Sequence, residues 1–256
     1  MKSVSRKILL INPNSSKSMT DGLDNLIKDL NLQGSTSTEI HTYTAPSGPP
    51  SINNEDDALE SANVVLPDIE SKLSEYDAFL VACYSVHPLV GMIQEKVAPH
   101  VHVTGIFEAS ISTSLSLIPM VKGEKVRSKF GIVSTGSYWE KALSDGVKEF
   151  LEVDDLKSCK RFKGVETTGL SAGELHTAPA EEVRRKMMEA TKRLVRDKDV
   201  KVICLGCAGM AGLDKIVRDA LDEELGEDSK HVHILDGVKA GIGLLESLLR
   251  ALPPRA

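Results

Sequence analysis

Two of the four cysteines, Cys83 and Cys207, occupy matching places in this sequence. Each closes an apolar run, DAFLVAC and KVICLGC, and each is followed by small residues and a turn. Such runs read as buried strands, so both thiols stand at strand carboxyl ends, where α/β proteins hold their ligands. Exposed N–H groups and a nearby helix start predict a thiol pKa lowered from about 8.5 toward neutrality. A pair of such thiols can work on one carbon. One thiolate removes a proton from one face and the opposing thiol delivers a proton to the other, with no metal required. A single free cysteine is more often a buried core residue; two at equivalent strand ends are harder to explain that way.

The remaining candidates carry less. Cys159 lies in a charged stretch, DDLKSCKRFK, and reads as a bystander. Cys204 and Cys207 form a CxxC, but Cys204 sits inside the strand rather than at a helix start, and no second ligand pair with zinc spacing accompanies it. His100/His102 and His231/His233 have strand spacing and read as edge residues with local hydrogen bonds. His87, four residues after Cys83, is placed to tune that thiol or touch a substrate. HExxH and GxGxxG patterns are absent, which removes zincin and dinucleotide-binding readings.

The elements that must position the thiols are short apolar runs alternating with amphipathic stretches. Segments 7–12, 77–82, 102–106, 129–134, 201–206 and 231–236 read as strands; 19–30, 54–73 (kinked at Pro67), 139–151 and 179–197 read as helices. Alternation of this kind predicts an α/β fold with mainly parallel sheets. A weak internal repeat refines it. KILLINPNS (7–15) aligns with KFGIVSTGS (129–137), DAFLVACYSVHPL (77–89) with VKVICLGCAGMAGL (200–213), and VHVTGIFEASI (101–111) with VHILDGVKAGI (232–242). The middle pair superposes Cys83 on Cys207. Three matches in one order predict two pseudo-symmetric half-domains, residues 1–115 with 214–256 and residues 116–213, with the active site in the cleft between them.

Bulk properties narrow the partners. The chain of 256 residues is 41% hydrophobic and 27% charged, an ordinary globular composition. Its net charge of −6 offers no basic field for nucleic acid or an anionic membrane. The N-terminal apolar run, Ile8 to Ile11, is too short for a leader or a membrane span. A cytoplasmic protein is expected, acting on a small molecule, with no cofactor and no metal, as a homo-oligomer.

With these residues in view, the chain resembles the Asp/Glu racemase superfamily and, within it, the hydantoin and allantoin racemases. The resemblance spans nearly the whole chain. It rests on ILLINPNSS (8–16) after the first strand, SGPPSI (47–52) after the second, ACYS (82–85) and LGCAGM (205–210). It implies two Rossmann-like half-domains, no cofactor, and a catalytic thiol pair at Cys83 and Cys207. It further implies that the surrounding loops hold the substrate. Those are Asn12 and Asn14, Pro49 and Ser51, and Tyr84, Ser85 and His87 in one half. Ser134, Thr135, Ala208 and Gly209 are their counterparts in the other. The chain departs at SVHPL (85–89), where bacterial hydantoin racemases carry an acidic Asp-Pro pattern; His87 changes the charge beside the first thiol.

The expected reaction is racemisation or epimerisation of 5-substituted hydantoins, allantoin among them. The chiral carbon adjoins a carbonyl, so proton loss gives an enolate that N–H donors stabilise by about 3–4 kcal/mol each. An amino-acid racemase, or a thiol-dependent isomerase or decarboxylase of the same superfamily, is the first alternative. A non-catalytic small-molecule sensor on the same fold is the second.

Overall fold

The strands that the sequence marks as continuously apolar form the middle of two sheets. In the computed structural model, which describes residues 6–30, 38–118, 128–156 and 159–252, all four residues of Ala78–Val81 are buried, as are Ile8–Asn12, Phe130–Ser134 and Val202–Gly206. Burial on both faces is what a central parallel strand requires, and it removes the alternation that a half-exposed strand would show.

The elements run β1 (Arg6–Asn12), α1 (Lys17–Asp29), β2 (Thr38–Thr44), α2 (Glu55–Ile69), β3 (Ala78–Val81), α3 (Pro88–Gln94), β4 (His102–Gly105) and α4 (Ile106–Leu117). They continue with β5 (Lys129–Ser134), α5 (Tyr138–Phe150), β6 (Phe162–Thr167), α6 (Glu174–Thr177), α7 (Ala180–Val195), β7 (Val200–Gly206), α8 (Asp214–Leu225), β8 (His233–Asp236) and α9 (Gly237–Ala251). One sheet has the order β2-β1-β3-β4 and the other β6-β5-β7-β8, all neighbours parallel. The two orders are the same order, which is what the three-part repeat predicts.

The apolar runs do not reveal β2 and β6. Both are edge strands, TEIHTYT and FKGVET, with polar residues on partly exposed positions. Pro67 does not break its helix. Both Pro67 and Asn63, whose carbonyl loses its donor, are exposed, so water can take the vacancy; the helix turns to 3-10 geometry only at Glu70. At its other end Asn54 caps α2 by accepting from the Asp57 N–H at 2.9 Å, with Glu55, Asp56 and Asp57 in the first turn.

The chain divides into Met1–Ala109 with Val238–Ala256, and Ser110–Gly237. The half-domain boundaries read from the repeat therefore shift. Residues 214–237 belong to the second unit, because β8 hydrogen-bonds along β7 and completes that sheet. The first division falls inside α4, ahead of residue 115. The first unit's core gathers Leu9, Ile11, Val65, Ile69, Phe79, Val81 and Ile93; the second gathers Val133, Met187, Leu194, Ile203, Leu205 and Leu221. Among the described residues no helix is long and apolar enough to cross a membrane. Residues 1–5, part of the segment read for a leader, lie outside the described residues.

Candidate active site

Every residue named from the sequence as catalytic or substrate-binding lies on a loop following the carboxyl end of a strand, or on the last residue of that strand. In the first unit the loops after β1 and β2 are fastened together. Ala45 N–H donates to Asn12 O at 3.1 Å, Ser15 N–H to Pro49 O at 3.0 Å, and Ser15 Oγ to Gly48 O at 3.0 Å. Gly48 has φ +89°, a turn that side-chain-bearing residues rarely adopt. This fixes where Pro49 and Ser51 stand; Ser51 Oγ donates to Asn53 Oδ1 at 3.2 Å.

The asparagines serve this scaffold more than a ligand. Asn12 is 2% exposed, and its Nδ2 lies 3.1 Å from Asn14 Oδ1, 3.0 Å from Ser16 O and 3.0 Å from Thr20 Oγ1. Its Oδ1 accepts from Asn14 N–H at 3.3 Å. Both ends of the amide make hydrogen bonds at the start of this unit, so the side chain braces the loop that follows β1. Asn14 Oδ1 likewise accepts from Ser16 N–H at 2.9 Å.

After β3, Cys83 is partly exposed and its Sγ lies 3.4 Å from Ser85 Oγ. The flanking residues turn inward. Tyr84 is 4% exposed and meets Phe107 edge-on, with ring centroids 5.6 Å apart. His87 is 2% exposed and caps α3, its Nδ1 accepting from Leu89 N–H at 3.2 Å. That fixes the tautomer: Nε2 carries the proton and donates to Ser61 Oγ at 3.1 Å, which donates to Ala58 O at 2.8 Å. Burial pushes the imidazole down to about 4. Both ring nitrogens thus have protein partners, Leu89 N–H and Ser61 Oγ. Pro88 at the helix start aims the preceding residue into the cap position, and the ring points into the protein.

The second unit repeats the scaffold with other side chains. Thr168 N–H donates to Ser134 O at 2.9 Å, the counterpart of Ala45 to Asn12, and Gly169 N–H donates to Thr135 O at 3.0 Å. Ser134, fully buried, ties the end of β5 to that of β7 through Oγ to Gly206 O at 2.7 Å. Cys207 begins a single 3-10 turn, Ala208–Met210, and its Sγ accepts from Gly209 N–H at 3.3 Å.

The electrostatics at Cys207 run against expectation. The residue keeps partial exposure, but desolvation of its sulfur pushes the thiol up to about 11, outweighing the N–H groups of Gly209 and Met210 that hold it down. The predicted helix start is absent from its side. A one-turn 3-10 segment carries little dipole, and α8 begins only at Asp214. Cys204 is fully buried with its Sγ 3.1 Å from Ser114 Oγ on α4, as a core residue should be. Among the described residues no three His, Cys, Asp or Glu side chains gather as a metal set.

One group escaped the sequence. Residues 168–178, after β6, are the second unit's counterpart of the Gly48–Ser51 loop, and they end in α6, which packs on the turn that follows Cys207. A methyl placed on Gly209 would lie 3.0 Å from His176 Nε2 and 3.5 Å from Cys207 Sγ. The repeat itself contained the signal, since a second strand in the first half calls for one in the second.

Comparison with known proteins matches this arrangement. The Asp/Glu/Hydantoin racemase family model matches residues 8–245. A protein of Schizosaccharomyces pombe, itself uncharacterised, is 35% identical over 245 residues, covering 95% of this chain and 92% of its own length. A hydantoin racemase from a Pseudomonas species is 28% identical over 246 residues, covering 95% and 86%. Allantoin racemase from Klebsiella pneumoniae has the same fold, with a TM-score of 0.75 at 24% identity over 96% of this chain and 89% of that one. Strand order, loop placement and a family match across nearly the whole length agree, and the chain belongs to the Asp/Glu/hydantoin racemase family.

Proposed function

We propose that the protein racemises 5-substituted hydantoins, allantoin among them, by a cofactor-independent exchange between Cys83 and Cys207. The observation that carries this reading is the repetition itself. A thiol follows the third strand of each unit, in sheets of identical order, on loops fastened in the same way. Cys207, held protonated by desolvation, enters as the proton donor. Cys83, beside the Ser85 hydroxyl, enters as the base. One sulfur takes the hydrogen from the carbon next to the carbonyl, the enolate oxygen is held by N–H donors, and the other sulfur returns a proton to the opposite face.

The loops favour a neutral ring. Residues 45–54, 82–87, 135–137 and 207–213 contain no Lys, Arg, Asp or Glu, and residues 168–178 add one carboxylate, the exposed Glu174. A free amino acid, with its ammonium and carboxylate, would be better served by charged partners.

The test is single enantiomers of several 5-substituted hydantoins and of allantoin in D₂O, followed by polarimetry and proton NMR. Cys83→Ser and Cys207→Ser should each abolish racemisation while the protein stays folded. Each should still admit solvent deuterium into one enantiomer, the preference being opposite in the two variants. Cys159→Ser should racemise normally. A single-cysteine variant with full two-way racemisation, or the same exchange preference in both variants, refutes the two-thiol mechanism.

A further inference from the structure

We infer that Ser85 is the positioning residue of the Cys83 thiol: its hydroxyl donates a hydrogen bond to the thiolate and holds the sulfur ready to take a proton from carbon. This rests on the two-thiol reading above, in which Cys83 is the base, and it says how that sulfur carries its charge. The contact is direct, with Ser85 Oγ 3.4 Å from Cys83 Sγ. Oxygen and sulfur exchange roles with the proton. The thiol can donate to the oxygen; once its proton has gone, the hydroxyl turns to donate to the charged sulfur, and that bond is the stronger of the two.

Three observations carry it. First, the two units place a donor at the same position. The residue two places after each cysteine bonds the sulfur, Gly209 through its backbone N–H at 3.3 Å and Ser85 through its side chain. Second, the backbone of residue 85 is not placed to do what that of Gly209 does. Ser85 N–H donates to Cys83 O at 3.1 Å, whereas in the second unit Cys207 O accepts from one residue further on, Met210 N–H at 3.0 Å. With its N–H turned to the carbonyl, residue 85 reaches the sulfur through a hydroxyl instead. Third, Ser85 is only 5% exposed while Cys83 keeps partial exposure. Water therefore competes little for the hydroxyl, and the sulfur stays open to a ligand. The titratable groups nearby have partners of their own. The His87 ring bonds Leu89 N–H and Ser61 Oγ, Tyr84 packs on Phe107, and the Glu108 carboxylate on α4 accepts from the Gly105 and Glu108 N–H groups. Residues 82–87 contain no Lys, Arg, Asp or Glu.

The experiment needs no substrate. In the full chain, iodoacetamide labelling of Cys83 and of Cys207 is followed by peptide mass spectrometry between about pH 6 and pH 10. Removing a donor to the charged form raises a thiol's pKa, so Ser85→Ala should move the midpoint of the Cys83 profile up by about one pH unit and leave that of Cys207 unchanged. One unit cuts the thiolate share about tenfold at neutrality, and the greater nucleophilicity of the more basic sulfur returns about threefold, so labelling near pH 7 should slow by about threefold. Alanine loses only the oxygen, and the variant should keep its circular dichroism spectrum. Ser85→Thr, which retains a hydroxyl, should hold the wild-type midpoint. Turnover of Ser85→Ala should show kcat reduced with KM held. An unmoved Cys83 midpoint in folded Ser85→Ala overturns the inference; a raised KM beside that unmoved midpoint would assign the hydroxyl to the substrate instead. Because labelling reports the thiol alone, a protein that turned over no hydantoin would refute the function proposed above while leaving a shifted midpoint to stand by itself.

Discussion

The buried cap at His87 makes a measurable pH dependence. In the folded protein its imidazole is neutral, with its pKa lowered from 6.5 to about 4 by burial. In the unfolded chain it titrates near 6.5, so between those values the unfolded state binds the extra proton. Stability from this group is thus fully present above pH 6.5 and drains away as pH falls toward 4. The whole difference corresponds to roughly 3 kcal/mol, of which about 2 kcal/mol is lost between pH 7 and pH 5. His87→Asn separates this effect from capping, because asparagine is a good N-cap and does not titrate. At pH 7 the variant should be less stable by about 1–2 kcal/mol, through loss of the Ser61 link and of ring packing. At pH 5 it should have closed that gap. Urea unfolding followed by circular dichroism at both pH values measures it, and every other titrating group cancels in the comparison. If wild type and His87→Asn lose the same stability between pH 7 and pH 5, the neutral buried imidazole is wrong.

Asn12→Ala should destabilise the first unit by about 2–3 kcal/mol and raise KM, because it strips partners from Ser16 O, Thr20 Oγ1 and Asn14 at once. Ser134→Ala removes a single bond, to Gly206 O, and should cost about 1 kcal/mol in the same denaturation assay; the reverse ranking would contradict the bracing roles assigned here. Dialysis against EDTA should leave racemisation intact, and a loss restored by added zinc would revive a metal role for the CxxC and histidine pairs.

The central strands and the thiols were legible in the sequence for one physical reason. β1, β3, β5 and β7 are buried on both faces, and that burial writes an unbroken apolar run ending where a ligand can sit. β2 and β6 were not, since polar residues interrupt both, TEIHTYT and FKGVET, and with β6 went the loop that carries His176. The capping role of His87 is not legible from its place four residues after Cys83, because nearness in sequence says nothing of direction. Pro88 starts a helix there, and the cap residue of a helix points its side chain back at the backbone it satisfies. The raised Cys207 thiol was illegible too, since the sequence does not distinguish an α-helix start from one turn of 3-10.

The two thiols stand in unlike company: a serine hydroxyl beside Cys83, a backbone N–H beside Cys207. Mirror-image substrates nonetheless have equal free energies, so the reaction's equilibrium constant is unity and the ratio kcat/KM must be identical in both directions. The asymmetry of the site cannot bias which enantiomer accumulates. It can surface only in how kcat and KM divide that fixed ratio: the direction with the faster turnover must also be the one with the higher KM. Any drift of the product mixture away from equal proportions would then have to come from a second, stereoselective protein drawing off one hand.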